Sequence, residues 1–212
     1  MKQNRENPFF ETYRTPFGTP PFDQIETEQY EPAFDEGIWQ LDEEVRAIAD
    51  NTELPTFENT IIALERSGKL LDKVISAFFN VLKADDEMMD ISQRVSPKLS
   101  ESSNNIYLNE QLFARVKSVY DRKDELHLPM EDARLLEKTF EAFCARGAAL
   151  GPEEKEKYRK LSSELSLLSL TFDQNALKDK NRYELLLTKE DELEGLPESI
   201  REAAALRAKE KG

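Results

Sequence analysis

Apolar residues recur at steps of three and four along most of this 212-residue chain, which is the period of an amphipathic α-helix. A first helix is predicted from Thr27 to about residue 50, with Pro32 near its start, where a missing N–H costs least. Asn51 and Pro55 end this helix. Its apolar stripe consists of Tyr30, Phe34, Ile38, Leu41, Val45 and Ile48.

The clearest stripe follows, and it keeps its phase throughout. It consists of Phe57, Ile61, Leu64, Gly68, Leu71, Ile75, Phe78 and Leu82. Thr56 offers an N-cap before it. A chain that stopped and restarted at Gly68 would be expected to lose the phase, so the pattern predicts one long helix, 57–84. A glycine inside that helix costs about 1 kcal/mol relative to alanine, which a close approach by another segment would offset.

The helices expected after it cover residues 85–106, 112–120, 152–177 and 198–209. Pro97 lies inside the first of these and is expected to bend it. Before the one at 152, a further helix has its stripe at residues 136–144 and ends at Gly147 and Gly151. The helix that begins at Pro152 carries a stripe of Tyr158, Leu161, Leu165, Leu168 and Phe172. Residues 183–188 are the one stretch with strand character, and a lone strand needs a partner. They either pair with a segment beyond Gly212 or pack as an extended chain.

The pattern as a whole predicts an all-α fold, an elongated multi-helix bundle with at most one short strand near 183–188. Residues 1–26 differ from the rest because prolines and Gly18 exclude a regular helix there. Their aromatic residues are Phe9, Phe10, Tyr13, Phe17 and Phe22. We interpret residues 1–26 as an extended strap held across the helical domain 27–212 by these rings. A binding arm for a partner is the alternative.

The formal net charge of −14 argues against some classes of partner. Phosphate backbones and anionic membrane surfaces would be repelled, so neither nucleic acid nor a membrane is expected as a partner. No apolar run approaches the roughly 18 residues that span a bilayer. The polar start, Met1–Arg5, lacks the apolar core of a signal peptide. A cytoplasmic location is therefore expected, and a periplasmic one stays open if a signal peptide was removed.

Residues capable of catalysis are few, with one histidine and one cysteine in the whole chain. His127 lies in a loop with no neighbouring group to orient it or to share a metal, which favours an exposed loop histidine. Cys144 follows Phe140 and Phe143 on an apolar face, which favours a buried apolar residue over a reactive thiolate.

Two acidic runs lie at residues 85–90 and 190–194, and the first lacks the glycine and the spacing of an EF-hand loop. The first is interpreted as a helix N-terminus and the second as a solvated turn. Trp39, Phe78 and Phe79 could line a peptide groove, although aromatic residues at helical spacing are more often core. We therefore assign no catalytic, cofactor-binding or metal-ligating residue in this sequence.

Several strings of residues are more informative than the period. They are Asn7-Pro8-Phe9, Pro21-Phe22-Asp23-Gln24-Ile25, Tyr30-Glu31-Pro32-Ala33-Phe34-Asp35-Glu36-Gly37, Phe57-Glu58-Asn59-Thr60-Ile61 with Ala63-Leu64-Glu65-Arg66-Ser67-Gly68, Asn105-Ile106-Tyr107-Leu108-Asn109 with Leu112-Phe113-Ala114-Arg115-Val116, and Leu193-Glu194-Gly195-Leu196-Pro197-Glu198-Ser199. In this order they resemble the opening of the bacterial peptidyl-dipeptidases, members of the zinc metallopeptidase family that includes oligopeptidase A and thimet oligopeptidase.

The resemblance implies an almost wholly helical protein, built as two halves around a deep channel, that removes dipeptides from the C-terminus of oligopeptides. It also implies a zinc ion held by a His-Glu-x-x-His helix and a downstream glutamate. This chain contains no such motif and corresponds to roughly the first third of a family member. Zinc and the catalytic region are therefore expected in a missing C-terminal part, and residues 27–212 are interpreted as an inactive N-terminal domain.

Two other functions stay open. One is a stand-alone helical module that presents a groove to partner helices or peptides. The other is the same region of an endopeptidase similar to oligopeptidase A, although Phe34-Asp35-Glu36-Gly37 favours the dipeptidase. A gene that continues into a His-Glu-x-x-His region would support the peptidase, and a stop codon after Gly212 would support the module.

Overall fold

The computed structural model describes residues 7–81 and 86–211, in which all regular elements are helices, as predicted. The α-helices are α1 Tyr30–Ala49, α2 Ala63–Glu65, α3 Lys69–Val81, α4 Asp86–Tyr107, α5 Glu110–Tyr120, α6 Met130–Ala145, α7 Pro152–Arg182 and α8 Glu198–Lys211. Short 3₁₀ turns lie at Pro8–Phe10, Pro16–Gly18, Thr27–Gln29 and Glu190–Leu193, and a π-helical turn at Phe57–Ile62. Leu82 and Asp85, which the patterns place in two helices, lie outside the described residues.

The segment between Phe57 and Val81 is two helices, so the prediction of one helix over 57–84 is wrong. The π-helical turn and α2 end at Glu65, and α3 starts at Lys69 after a turn in which Gly68 has a φ of 74°. This left-handed conformation is one that glycine adopts readily. The stripe keeps its phase across the break because both helices pack against α1.

Gly68 lies close to α1 as well. Its N–H donates a 2.7 Å hydrogen bond to the Glu44 carboxylate, and a Cβ at this position would lie 3.2 Å from a methyl carbon of Leu41.

The start of the π-helical turn has the predicted cap. The Thr56 hydroxyl accepts from the N–H of Asn59, and the Asn59 amide oxygen accepts from the N–H of Thr56.

The first half of α1 packs against α3 and α4 around an aromatic centre. Phe34 and Phe78 are fully buried, with ring centroids 5.1 Å apart, and Tyr30 packs on the Phe78 ring at 5.4 Å. Gly37 lets the helices approach, since a Cβ there would lie 3.0 Å from the Cα of Leu71. The cluster also includes Phe9, Ala33, Leu71, Val74, Ala77, Met88, Ile91 and Val95.

The second half of α1 belongs to a separate cluster with α5, α6 and the π-helical turn. Its buried residues are Val45, Ile48, Ala49, Ile61, Leu112, Val116, Val119, Leu136, Phe143 and Ala148. Because α1 contributes to both clusters, it joins the two halves of the bundle.

Only some of the rings of the N-terminal segment contact this bundle. Phe9 is buried against Tyr30, with ring centroids 5.1 Å apart, and Phe10 and Tyr13 pack at the edge of the same cluster. Phe17 and Phe22 are exposed. Phe17 is fully exposed in a turn where its φ is 61°, and because its ring touches no core residue, it anchors nothing.

The chain divides into two compact units after Phe172. The second contains the end of α7, the irregular residues 183–188, the 3₁₀ turn Glu190–Leu193 and α8. Residues 183–188 form no strand, and Tyr183, Leu185 and Leu186 are exposed. No helix in the described part of the chain is long and apolar enough to cross a membrane.

Candidate functional site

The groups with catalytic potential lie apart in the structure. His127 is exposed in the turn before α6, with a φ of 46°. Cys144 is exposed as well, so the expectation that it is buried is wrong. The core side of α6 centres on Leu136 and Phe143, and a step of one residue turns the helix by about 100°, which directs Cys144 away from the core.

The other candidates serve the fold or face solvent. The Glu192 carboxylate accepts the N–H groups of Thr188 and Lys189 at 3.0 and 3.1 Å, so it caps the 3₁₀ turn. Phe78 is a core residue, whereas Trp39 and Phe79 are exposed. Across residues 7–81 and 86–211, no three histidine, cysteine or acidic side chains are grouped so that they could hold a metal ion.

The strings that carry the family resemblance meet one another in the fold. Arg115, buried on α5, donates to the carbonyls of Asn51 and Glu53 at 2.5 and 3.0 Å. It also donates to the side-chain oxygens of Asn59 and Thr60 at 3.1 and 3.4 Å. These bonds hold the loop after α1, and the cap of the next helix, against α5.

Sequence reasoning assigned no role to Arg115, although a signal was present. Leu112, Arg115 and Val119 follow one another at steps of three and four, so the arginine occupies an apolar position of the α5 stripe. A charged residue at such a position is buried only when polar groups meet it. Asn7 of the N-terminal string is likewise a buried polar residue that meets a polar group, because its side-chain amide donates to the Gln29 carbonyl at 2.8 Å.

Lys73 of α3 fixes the N-terminal segment to the bundle. Its ammonium group donates to the carbonyls of Phe9 and Glu11 at 2.8 and 2.6 Å, and lies 3.7 Å from the centre of the Tyr13 ring. Burial lowers the pKa of Lys73, and the nearby Glu11 opposes that shift. Burial, with a smaller contribution from Tyr30, raises the pKa of Tyr13 to about 12.

The Tyr13→Phe variant is expected to lose less stability at high pH than the parent protein. Folding favours the neutral form of the Tyr13 hydroxyl, which raises its pKa above that in the unfolded chain. The neutral hydroxyl's contribution to the free energy of unfolding is complete below pH 10 and is lost as pH rises from 10.0 to about 12. Urea unfolding midpoints measured from neutral to alkaline pH test the difference. At neutral pH the variant should be at least as stable as the parent, because the Tyr13 hydroxyl is buried with no hydrogen-bond partner among the described residues, and a buried hydroxyl without a partner costs free energy. Parallel pH profiles would contradict the assignment.

A groove of about 730 Å³ lies between α3 and α6, above α1 and α4. Its apolar lining includes Leu41, Val45, Leu71, Ile75, Leu99, Ile106, Leu135 and Phe143. Glu65 and Asp72 line the side of α2 and α3, whereas Lys138 and Arg146 line the side of α6. The Arg146 guanidinium stacks 4.0 Å from the centre of the Tyr107 ring. Neither His127 nor Cys144 lines the groove.

Helix α7 contacts the bundle through polar side chains and through Tyr158, which is half-buried beside Gly147. Lys155 pairs with Glu110 of α5 at 3.1 Å. Ser162 and Asn104 of α4 exchange hydrogen bonds at 2.9 and 3.1 Å. The apolar stripe of the same helix is exposed at Leu161, Leu165, Leu168 and Phe172.

Comparison with curated proteins identifies the relatives of this bundle. Over 208 residues the chain is 40% identical to dipeptidyl carboxypeptidase of Escherichia coli strain K12, a match that covers 97% of this chain and 30% of that protein. The Salmonella typhimurium dipeptidyl carboxypeptidase is 37% identical over 208 residues, with 97% and 31% covered. This chain is homologous to the dipeptidyl carboxypeptidases. The resemblance inferred from the motifs is thereby confirmed.

Oligopeptidase A is also homologous, at a lower level. The Escherichia coli oligopeptidase A is 27% identical over 199 residues, with 93% of this chain and 29% of that protein covered. No family model matches the chain. The chain thus spans about a third of the length of the dipeptidyl carboxypeptidases and oligopeptidases that it matches.

The residues of this chain do not fit the zinc site that the resemblance implies. That site needs two histidines and a glutamate as ligands, and the sequence contains only His127. His127 is exposed in a turn, and the described residues hold no cluster of metal-ligating side chains around it. No step of zinc chemistry is therefore assigned to any residue of the chain.

Proposed function

We propose that this chain is the N-terminal region of a zinc peptidyl-dipeptidase that removes dipeptides from the C-terminus of oligopeptides. The observation that carries the proposal is the match to dipeptidyl carboxypeptidase over 97% of this chain. The identity of 40% to that enzyme, against 27% to oligopeptidase A, favours the dipeptidase over the endopeptidase. The zinc ion and the catalytic residues would belong to the remaining region of the enzyme.

The role of these helices would be to form part of one wall of the substrate channel. The two core clusters, each built from aromatic and aliphatic residues, are joined by α1. They would make this wall rigid, because side chains in such cores are closely packed. A rigid wall restricts entry to unfolded peptides. Movement of that wall relative to the catalytic region would exclude water from the reaction.

A chimaera tests the proposal directly. This chain would replace the homologous part of the Escherichia coli dipeptidyl carboxypeptidase, and release of C-terminal dipeptides from an oligopeptide would be measured. We expect the zinc-loaded chimaera to release dipeptides and the isolated chain to release none. Dipeptide release by the isolated chain, or an inactive chimaera that is folded and fully loaded with zinc, would refute the proposal.

The matched control for this experiment joins the chain to the remaining part of the Escherichia coli oligopeptidase A. Because identity to that protein is only 27%, the residues that meet its catalytic region should differ more. We expect the oligopeptidase chimaera to be less active, relative to its own parent, than the dipeptidase chimaera. The reverse order would favour the endopeptidase.

A stand-alone interaction module is the second candidate function. The exposed stripe of α7 favours it, because monomeric soluble proteins seldom expose rows of large apolar residues. Under this alternative neither chimaera would gain peptidase activity.

A further inference from the structure

We propose that the apolar stripe of α7 is the docking face for a helix of the same polypeptide, contributed by the region that corresponds to the rest of the dipeptidyl carboxypeptidase relatives. This inference rests on the proposed function and adds to it the surface through which the two regions meet. The docking face is defined by Leu161, Leu165, Leu168 and Phe172.

The first argument is that α7 packs with its polar side inward. Lys155 is buried and pairs with Glu110, Arg159 donates to Asn105 at 2.9 Å, and Ser162 bonds to Asn104. Positions 155, 159 and 162 share one helix face. Amphipathic helices of globular proteins normally bury the apolar face, whereas the row of this helix from Leu161 to Phe172 stays exposed.

The second argument is the exposure and spacing of the docking face. Its four residues are 54%, 64%, 59% and 72% exposed in chain order. They follow one another at steps of four, three and four, which is the spacing of a seam between two packed helices. A helix that crosses α7 at about 20° would cover the whole row.

The third argument concerns the origin of the covering helix. The relatives match this chain over only about 30% of their length, so most of such a protein lies outside this sequence. A second copy of this chain is less suitable, because each copy has a formal net charge of −14 and like charges oppose association. The same polypeptide supplies the helix at a high effective concentration without that repulsion.

Thiol labelling tests the docking face. Leu165→Cys and Leu168→Cys would be made singly in a Cys144→Ser background, both in the isolated chain and in the dipeptidase chimaera. Each would be labelled with N-ethylmaleimide and measured by peptide mass spectrometry. Both sites should label at least about tenfold more slowly in the chimaera, because the reaction requires an accessible thiolate. Circular dichroism would verify that each variant is folded.

Lys160→Cys is the matched control, since position 160 is exposed on α7 and lies about 100° away from the docking face. It should label at similar rates in the two proteins. Unchanged labelling at 165 and 168 in the chimaera would overturn the proposal, and equal slowing at all three positions would overturn docking by a single helix. Concentration-dependent protection in the isolated chain would assign the face to a second copy, which also overturns it.

The same samples separate this proposal from the proposed function. A chimaera that releases dipeptides while Leu165→Cys stays reactive would refute the docking face alone. A folded, zinc-loaded chimaera in which Leu165→Cys is protected but no dipeptide is released would refute the proposed function and retain the interface.

Discussion

Replacing Phe78 by alanine is expected to lower the free energy of unfolding of the first unit by about 4 kcal/mol. The ring is fully buried at the centre of the cluster between α1, α3 and α4, and it contacts Phe34 and Tyr30 edge-on. Its removal loses the transfer of a large apolar group from water, leaves a cavity, and breaks ring pairs worth about 0.5–1.5 kcal/mol each. Small domains are stable by only about 5–15 kcal/mol in total.

Phe79→Ala is the matched control for Phe78→Ala. The two residues are adjacent on α3, but Phe79 is exposed, so its loss should cost less than about 1.5 kcal/mol. Urea unfolding followed by the fluorescence of Trp39, the single tryptophan, reports on α1 and hence on this cluster. Losses of equal size in the two variants would contradict the burial of Phe78 and the exposure of Phe79.

Periodicity predicted where helices lie better than where they end. It placed α1, α5 and α6 correctly because an apolar stripe arises whenever one helix face is buried. It failed at Gly68, because a stripe records which side of the chain faces the core and not whether the helix axis is continuous. The turn at Gly68 depends on the Glu44 carboxylate and on Leu41, both of which come from a distant segment of sequence.

The direction in which a stripe faces also depends on tertiary partners. Cys144 and Phe143 are neighbours in sequence, yet only Phe143 is buried. The stripe of α7 has the spacing of a buried face, yet the hydrogen bonds of Ser162 and the ion pair of Lys155 turn a different side inward. Sequence alone could identify the apolar rows of α6 and α7. It could not show which residues of each row the rest of this chain would cover.

Replacement of Arg115 by methionine is expected to lower the free energy of unfolding by about 3 kcal/mol, because hydrogen bonds from a charged donor contribute about 1.5–3 kcal/mol each. Methionine restores most of the apolar contact of the stem but leaves the carbonyls of Asn51 and Glu53 without their donor. It also removes a donor from Asn59, whose amide oxygen is part of the cap at Thr56. Urea unfolding, together with amide exchange at residues 51–60, would measure both losses.

Two further variants show whether geometry or charge matters at this position. Arg115→Lys keeps the positive charge but replaces the planar fork by a single ammonium group, so it should recover less than about half of the loss. Arg122→Met is the matched control, because Arg122 holds the same loop through the Pro55 carbonyl alone, and it should cost about 1.5 kcal/mol, the lower end of the range for one bond from a charged donor. Full recovery by lysine would mean that the charge, and not the forked set of donors, holds the loop to α5.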